Sequence, residues 1–217
     1  MLPVIKNIIL DLGGVLYDIR YENIADVFRT YGLQDFEKYY LQAEQAPEID
    51  LFEEGKITSR QFRNYIRMLS SNKLTDKQID NAWNAILIDF PEVRLTLLKK
   101  LKNRYRLFLF SNTNEINCIE FVRFVIEKFG ENIFETCFEK AYYSHILGIK
   151  KPKPEAFQKI CEEQKLLPAE TLFIDDTERH ILGAQKAGLQ TYWLHNEDLE
   201  NSKIIKDLHY CPIKIKF

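Results

Sequence analysis

The stretch Lys6-Asn7-Ile8-Ile9-Leu10-Asp11-Leu12-Gly13-Gly14-Val15-Leu16 decides the fold of this chain. The apolar run over residues 8–10 predicts a buried strand, and this strand ends directly on the carboxylate of Asp11. Gly13 and Gly14 allow a tight turn and a close approach of the backbone to a ligand. Because ligands of an open α/β sheet bind beyond the carboxyl ends of the strands, Asp11 stands where chemistry is expected. A strand-end Asp can also simply cap the following turn, so the rest of the chain must decide.

The composition indicates a soluble globular protein. Hydrophobic residues make up 46% of the 217 residues, and 30 basic side chains stand against 32 acidic ones, for a formal charge of −2. This balance predicts no basic surface for nucleic acid or an acidic membrane. No apolar run is long enough for a membrane span, and Lys6 and Asp11 interrupt the first one, so no signal peptide is expected. The cysteines show no CxxC spacing and are expected to be reduced thiols of a cytoplasmic protein: Cys118, Cys137, Cys161 and Cys211.

Residues 20–88 predict helices and little strand, which indicates a helical domain inserted after the first strand. Apolar residues at helical spacing predict helices over Tyr21–Tyr31 and over Asp35–Ala46, the second one ending before Pro47. The candidate N-caps of two further helices are Thr58 or Ser59 and Thr75 or Asp76.

From residue 91 onward, apolar strands alternate with amphipathic helices. The predicted strands cover residues 104–110, 138–144, 171–174 and 191–194, and the later predicted helices cover residues 115–129, 155–166 and 197–208. This alternation predicts a Rossmann-like α/β fold, a parallel sheet with helices on both faces. We expect an α/β core domain over residues 1–17 and 90–217 and a helical-bundle cap domain over residues 18–89.

Polar side chains stand where three of these strands end. They are Asp11, Ser111 and the adjacent Asp175 and Asp176, while Lys151 lies in a nearby loop. This set suits phosphoryl transfer through an aspartyl-phosphate, because a carboxylate can approach a phosphate only where negative charge is neutralised. The three carboxylates and the carbonyl of Gly13 can hold Mg²⁺. Lys151 adds a positive charge, and the Ser111 hydroxyl and nearby N–H groups can hold phosphate oxygens.

Each member also has a structural alternative. Ser111 and Asn112 can cap the helix that follows them, and Lys151 can be a solvated loop lysine. Asp175 and Asp176 can cap the next helix. The ordered combination, with each group at a strand end or beside one, favours the catalytic interpretation.

The motifs resemble those of the haloacid dehalogenase (HAD) superfamily, from the first strand to about residue 195. They are Asp11-Leu12-Gly13-Gly14-Val15-Leu16, Ser111-Asn112-Thr113-Asn114, Lys151-Pro152-Lys153-Pro154 with Phe157, and Asp175-Asp176 with Gly183-Ala184 and Ala187-Gly188. The helical insertion resembles the C1 cap of that superfamily. Gly13, the Ser-Asn-Thr-Asn motif and Glu54-Gly55 look most like a sugar-phosphatase-like branch, for which glucose-1-phosphate is one known specificity.

The resemblance implies roles for individual residues. The catalytic residues are Asp11, the nucleophile, and Lys151, which stabilises charge. The substrate or phosphate ligands are Ser111, Asn112, Gly13, Gly14 and Glu54. The ligands of the Mg²⁺ cofactor are Asp11, Gly13, Asp175 and Asp176. Further candidates for specificity are Tyr17, Phe52 and Lys56.

The chain departs from the usual pattern at Gly13, where related phosphatases carry an acid/base Asp. Such a group contributes about 10² to 10⁴-fold to a rate. The loss of this group would slow hydrolysis least for an ester whose leaving group is an anomeric sugar hydroxyl, because that hydroxyl has a lowered pKa. Candidates that could replace it are Glu54, Asp18 and His180.

The leading hypothesis is a cytoplasmic Mg²⁺-dependent phosphatase of a small phosphorylated metabolite, with neither nucleic acid nor a membrane as partner. The alternative is a catalytically silent phosphate-binding or regulatory protein that lost its acid/base at Gly13. A dehalogenase works without metal, so the Asp175-Asp176 pair argues against it. A phosphonatase needs an imine-forming cap lysine, for which the sequence context gives no support. The oligomeric state and the role of the last twenty residues are left open.

Overall fold

The computed structural model describes residues 4–40, 45–71 and 73–210, with no side chains described at residues 209 and 210. Within these residues, one sheet contains five parallel strands: β1 (Asn7–Leu10), β4 (Arg106–Ser111), β5 (Lys140–Tyr143), β6 (Thr171–Asp175) and β7 (Gln190–Trp193). Across the sheet, the strands lie in the order β5-β4-β1-β6-β7. The predicted fold class, a Rossmann-like α/β core, is confirmed.

Strand β1 lies in the middle of this sheet and is buried along its whole length. Its side chains alternate between the two faces: Ile8 and Leu10 pack into one hydrophobic cluster, and Ile9 packs into another. Leu10 is paired with Leu109 of β4 and with Ile174 of β6. This register brings the ends of three strands to the same edge of the sheet.

Helices cover both faces. The first face packs against α5 (Glu92–Lys102), α6 (Glu115–Phe129) and α11 (Lys203–Tyr210). The second face packs against α9 (Pro154–Gln164) and α10 (Glu178–Lys186). Two short helices, α7 (Ile133–Thr136) and α8 (Ser144–Leu147), flank β5. In place of the predicted helix over 197–208, a 3-10 turn (Leu199–Asn201) precedes α11.

The inserted helices have a hydrophobic cluster of their own. They are α1 (Glu22–Thr30), α2 (Pro47–Glu53), α3 (Ser59–Leu69) and α4 (Asp76–Asn84). Phe28, Phe62 and Trp83 are fully buried in this cluster. Thr58 and Thr75 cap α3 and α4, each in a capping box with a Gln three residues later. We call this part the cap; its predicted bounds, residues 18–89, stay a prediction.

The predicted helix over Asp35–Ala46 is wrong for the residues that the structure describes. Asp35 has a left-handed backbone conformation, and only a 3-10 turn, Phe36–Lys38, follows it. Residues 41–44 lie outside the described ranges. Pro47 begins α2 instead of following a helix, because the fixed φ of proline suits the first turn of a helix.

A small antiparallel ribbon was also missed. Strands β2 (Asp18–Ile19) and β3 (Leu87–Asp89) pair where the chain enters and leaves the cap. At two and three residues, these strands are too short to show a period in the sequence. The ribbon holds the two linkers side by side.

The described cysteines, Cys118, Cys137 and Cys161, are free, and Cys211 lies outside the described residues. In the described ranges, no helix has the length and apolar character needed to cross a membrane. The cytoplasmic location stays a prediction.

Candidate active site

Asp11 follows β1 and is almost fully buried. Its backbone N–H donates to Ile174 O (3.0 Å), and its Oδ1 accepts from the Leu12 N–H (2.7 Å) and lies 2.7 Å from Lys151 Nζ. Burial raises the pKa of this carboxyl group well above its usual value, and the charges of Asp175 and Asp176 raise it further, while Lys151 opposes them. Asp11 therefore needs additional positive charge nearby to act as an ionised nucleophile.

The Lys151 side chain is completely buried and connects two carboxylates. Its Nζ lies 2.7 Å from Asp11 Oδ1 and 2.7 Å from Asp175 Oδ2. Burial alone would lower the pKa of Lys151, but the two carboxylates outweigh it and raise this pKa, so the ammonium group stays charged. The alternative of a solvated loop lysine is wrong.

Asn112 lines the central cavity and also holds the Lys151 loop. Its side-chain amide donates to Lys151 O (3.0 Å) and accepts from the Lys151 N–H (2.9 Å). Ser111 ends β4 and is buried. It lines the central cavity, which Asp11, Tyr17 and Lys150 also line. Asn114 caps α6 by accepting from the Asn117 N–H (3.1 Å), so the alternative that Ser111 and Asn112 cap this helix is wrong.

Asp175 ends β6 and is bonded through both carboxylate oxygens. Oδ2 pairs with Lys151, Oδ1 accepts from the Thr177 N–H (2.8 Å), and His180 Nδ1 lies 3.1 Å from each oxygen. Burial would raise the pKa of Asp175, but Lys151 and His180 outweigh it and hold this pKa well below the usual range. Asp175 therefore stays ionised.

His180 lies on α10 and lines the cavity. Burial, with the nearby charge of Lys151, lowers the pKa of its imidazole, so the ring is neutral at pH 7. Since Asp175 is ionised, we assign the ring proton to Nδ1, which donates to that carboxylate. The buried Nε2 has no hydrogen-bond partner among the described residues and is an acceptor.

Asp176 lies over Gly14. Gly14 has φ +77°, and a Cβ built there would lie 2.3 Å from Asp176 Oδ2, so this approach requires a glycine. Burial and the neighbouring charge of Asp175 raise the pKa of Asp176 to about 6. The two adjacent carboxylates therefore differ: Asp175 is held in ion pairs, and Asp176 carries a charge that is poorly compensated.

The inner cluster suits a divalent cation. Three carboxylates lie around the ammonium group of Lys151, and burial together with their mutual repulsion raises the pKa values of Asp11 and Asp176 despite that cation. Carboxylate oxygens are the ligands that Mg²⁺ prefers. Ligand atoms of Asp11, Asp175 and His180 also lie within 4.8 Å of one another. We interpret that trio as an internal bonding network, because Asp175 already serves Lys151 and His180.

Two candidates for the missing acid/base have other partners. Asp18 lies in β2 and accepts from Arg94 Nη1 at 2.6 Å. Glu54 pairs with Lys56 and Lys153 and does not line the cavity. Of the three candidates, only His180 lines the cavity.

The predicted specificity residues also differ in whether they line the cavity. Tyr17 lines the cavity, whereas Phe52 stacks on Phe62 in the cap interior, with ring centroids 4.3 Å apart. Lys56 is about half exposed and does not line the cavity. At Gly13, a Cβ would lie 2.9 Å from Ile19 Cδ1, so the neighbouring side chain occupies the space beside it.

Several cavity residues were missed by sequence reasoning: Tyr21, Tyr40, Gln45, Glu53, Lys150 and Arg179. A signal for Glu53 exists in the sequence. Ile49, Phe52 and Glu53 are the buried residues of α2, at spacings of three and four residues. A helix predicted from Pro47 onward would have placed Glu53, not Glu54, on the inward face.

Comparison with known proteins identifies relatives of this chain. The curated D-ribitol-5-phosphate phosphatase of Bacteroides thetaiotaomicron is 30% identical over 192 residues, which cover 88% of this chain and 93% of the relative. A HAD family enzyme of the same organism, crystallised as an Asp-to-Ala variant with magnesium and inorganic phosphate, superimposes with a TM-score of 0.85. It is 36% identical, and the match covers 89% of this chain and 96% of that one.

A second solved structure, a predicted HAD-like hydrolase of Porphyromonas gingivalis, is 29% identical with a TM-score of 0.83. That match covers 94% of this chain and 97% of the other. The sequence also matches the haloacid dehalogenase-like hydrolase family over residues 5–188. The chain belongs to the haloacid dehalogenase-like hydrolase family.

Proposed function

We propose that the chain is a Mg²⁺-dependent phosphatase that transfers the phosphoryl group of a small sugar or sugar-alcohol phosphate to Asp11 and then to water. The chain is a phosphoric monoester hydrolase of its family. The observation that carries the mechanism is the buried contact of Lys151 with both Asp11 and Asp175, inside a cluster where burial and neighbouring carboxylates raise the pKa values of Asp11 and Asp176.

In the first step, Asp11 attacks the phosphorus. A bond forms between a carboxylate oxygen and phosphorus while the ester P–O bond breaks, and the leaving oxygen takes a proton from solvent water. Lys151 holds the nucleophile in place and offsets the charge of the phosphate. Ser111, at the end of β4, lines the cavity as a hydroxyl donor for phosphate oxygens.

In the second step, a water oxygen bonds to phosphorus, the bond between phosphorus and the Asp11 oxygen breaks, and inorganic phosphate leaves; the attacking water must lose a proton. Gly13 carries no acid/base group. We assign this proton transfer to His180, because this residue lines the cavity and its Nε2, a buried atom, has no hydrogen-bond partner among the described residues, while its Nδ1 is held by Asp175. Asp175 thus fixes the ring in the orientation and tautomer that a base requires.

Mg²⁺, when bound, supplies Lewis-acid stabilisation of charge on the phosphate oxygens. Asp11, Asp176 and the carbonyl of Gly13 would hold it. We give Asp175 a supporting role, because both its oxygens already bond within the protein. An increase in melting temperature with Mg²⁺, lost in an Asp176→Asn variant, would test this assignment without an activity measurement.

The name of the relative and the sequence motifs indicate two different substrates of one chemical class. The relative from Bacteroides thetaiotaomicron is named for D-ribitol-5-phosphate, and the sequence motifs resemble a branch known for glucose-1-phosphate. Both are phosphates of a neutral, hydroxylated carbon skeleton. We propose this class and rank the open-chain ester first, because it belongs to a relative that matches 88% of the chain.

The test is phosphate release from a panel of esters with Mg²⁺ and with a chelator, for the wild type and for Asp11→Asn. We expect metal-dependent turnover of sugar and sugar-alcohol phosphates by the wild type and none by the variant, since the amide cannot form the aspartyl-phosphate. Full turnover by Asp11→Asn would disprove the mechanism. Release from no ester by the wild type would favour a silent phosphate-binding protein.

A further inference from the structure

A second charged cluster lines the cavity, beside the catalytic groups. Lys150 Nζ donates to Gln45 Oε1 (3.1 Å) and to Glu53 Oε2 (2.7 Å), and it also pairs with Asp50. The side chains of Glu53 and Lys150 are only 7% and 15% exposed. The mechanism above uses none of these residues.

We propose that Gln45, Glu53 and Lys150, here called the recognition cluster, bind hydroxyl groups on the carbon chain of the substrate. This proposal rests on the phosphatase function proposed above and names the part of the cavity that selects the substrate. Gln45 and Glu53 come from the cap, and Lys150 comes from the core loop that also carries Lys151.

The unused hydrogen-bonding capacity of the cluster matches a hydroxyl group. The ammonium group of Lys150 has three N–H donors and three acceptors, so it is satisfied. A carboxylate can accept about four hydrogen bonds. Glu53 accepts from Lys150, and its contact with Gln45 Nε2 is long, at 3.5 Å. Acceptor positions on Glu53 and a donor on Gln45 therefore remain, and a hydroxyl group both donates and accepts.

The charge of the cluster indicates which substrates it disfavours. Lys150 is opposed by two carboxylates, Glu53 and Asp50, so the cluster offers no surplus positive charge. Arg179, on α10, also lines the cavity. A second phosphate or a carboxylate beside Glu53 would be repelled. The fitting class is therefore a monophosphate whose remaining part is neutral and hydroxylated.

The same contacts also fasten the cap to the core, so the test must separate recognition from a structural role. We would compare kcat/KM for D-ribitol 5-phosphate with that for n-pentyl phosphate, which has the same carbon chain without the hydroxyl groups. The ratio of the two values is the readout. Disturbance of the cap would lower both values together, whereas loss of hydroxyl recognition lowers only the first.

For Glu53→Gln we expect the ratio to fall about 10-fold to 100-fold, as for a lost hydrogen bond to a charged group, mainly through KM for the polyol ester. Glu48→Gln, on the same helix but outside the cavity, is the matched control and should keep the wild-type ratio.

Equal losses on both esters in Glu53→Gln would overturn the proposal and indicate a purely structural link. A wild type that does not discriminate between the two esters would overturn it as well, while the phosphatase function would stand. If the wild type released phosphate from neither ester nor from any other in the panel, the proposed function would fail, and this inference with it.

Discussion

Two adjacent lysines in one loop serve the two halves of this molecule. Lys151 is completely buried, and its partners, Asp11 and Asp175, end two strands of the core. Lys150 keeps some exposure, and its carboxylate partners, Asp50 and Glu53, lie on α2 of the cap. One peptide unit thus separates a lysine that serves catalysis from one that we assign to recognition.

The difference lies in where the partners come from. The partners of Lys151 are fixed by the register of β1 and β6 within the sheet. The partners of Lys150 depend on how α2 packs against the core, where the backbone of Gly55 also lies against His145 O. The core half of the site is therefore built into the sheet, while the cap half can change with the cap sequence.

Lys151→Met should have the largest effect of any change that tests this comparison. It leaves Asp11 and Asp175 buried without their cation, so we expect kcat to fall about 10³-fold, as when a central electrostatic donor is removed. The melting temperature should also fall, because breaking a buried pair costs about 3–5 kcal/mol. Steady-state kinetics and thermal unfolding with and without Mg²⁺ would measure both effects.

Lys150→Met is the matched variant. It should raise KM for the hydroxylated ester much more than it lowers kcat, since its partners do not touch the reacting phosphate. If both variants lowered kcat to the same extent, the division between a catalytic and a recognition lysine would be wrong.

His180→Asn should have the next largest effect. An asparagine can still donate to Asp175, but it lacks the acceptor that Nε2 provides. We expect turnover to fall about 10²-fold, within the range for a lost general base, and the aspartyl-phosphate on Asp11 to accumulate. Quenched mass spectrometry of the protein during turnover would detect the phosphorylated species. Normal turnover without accumulation would exclude His180 as the base.

The core half of the site could be predicted from the sequence because each of its groups follows a strong local pattern. Apolar runs that stop at Asp11, Ser111 and Asp175 locate three strand ends, and a parallel sheet brings such ends together. The hydrogen bonds between these groups follow no local sequence pattern and could not be predicted. Nothing in the sequence indicated that the Asn112 amide would hold the backbone of Lys151, or that Asp175 would bond through both oxygens.

The cap half was less predictable because its elements are short and its side chains are selected by tertiary packing. The sequence singled out Glu54, yet Glu53 lines the cavity, while Glu54, which is also buried, pairs with Lys153 of the core. Glu54 was chosen because Glu54-Gly55 resembles a motif of the family. Pro47 was interpreted as following a helix and is instead the start of one, so the buried position of Glu53 on α2 was not predicted.

The smallest expected effect is on the stability of the metal-free protein, measured with a chelator present. It arises from the negative charge of the neighbouring carboxylates Asp11, Asp175 and Asp176. In the folded chain, burial and the neighbouring Asp175 raise the pKa of Asp176 to about 6, from a usual value of 3.8. The folded state therefore binds this proton more tightly than the unfolded state. Its stabilising contribution is present below pH 3.8 and is lost as the pH rises through about 6.

Asp176→Asn removes this titration, so without metal the variant should melt higher than the wild type at pH 7.5, and the gap should shrink toward pH 5. A gap of about 3 °C at pH 7.5 would correspond to roughly 1 kcal/mol in a chain of this size. Adding Mg²⁺ should reverse the order, because only the wild type keeps the full set of carboxylates. If the melting temperatures of the two proteins differed by the same amount at every pH, the charge of Asp176 would not destabilise the folded state. That result would remove the charge argument for a divalent cation.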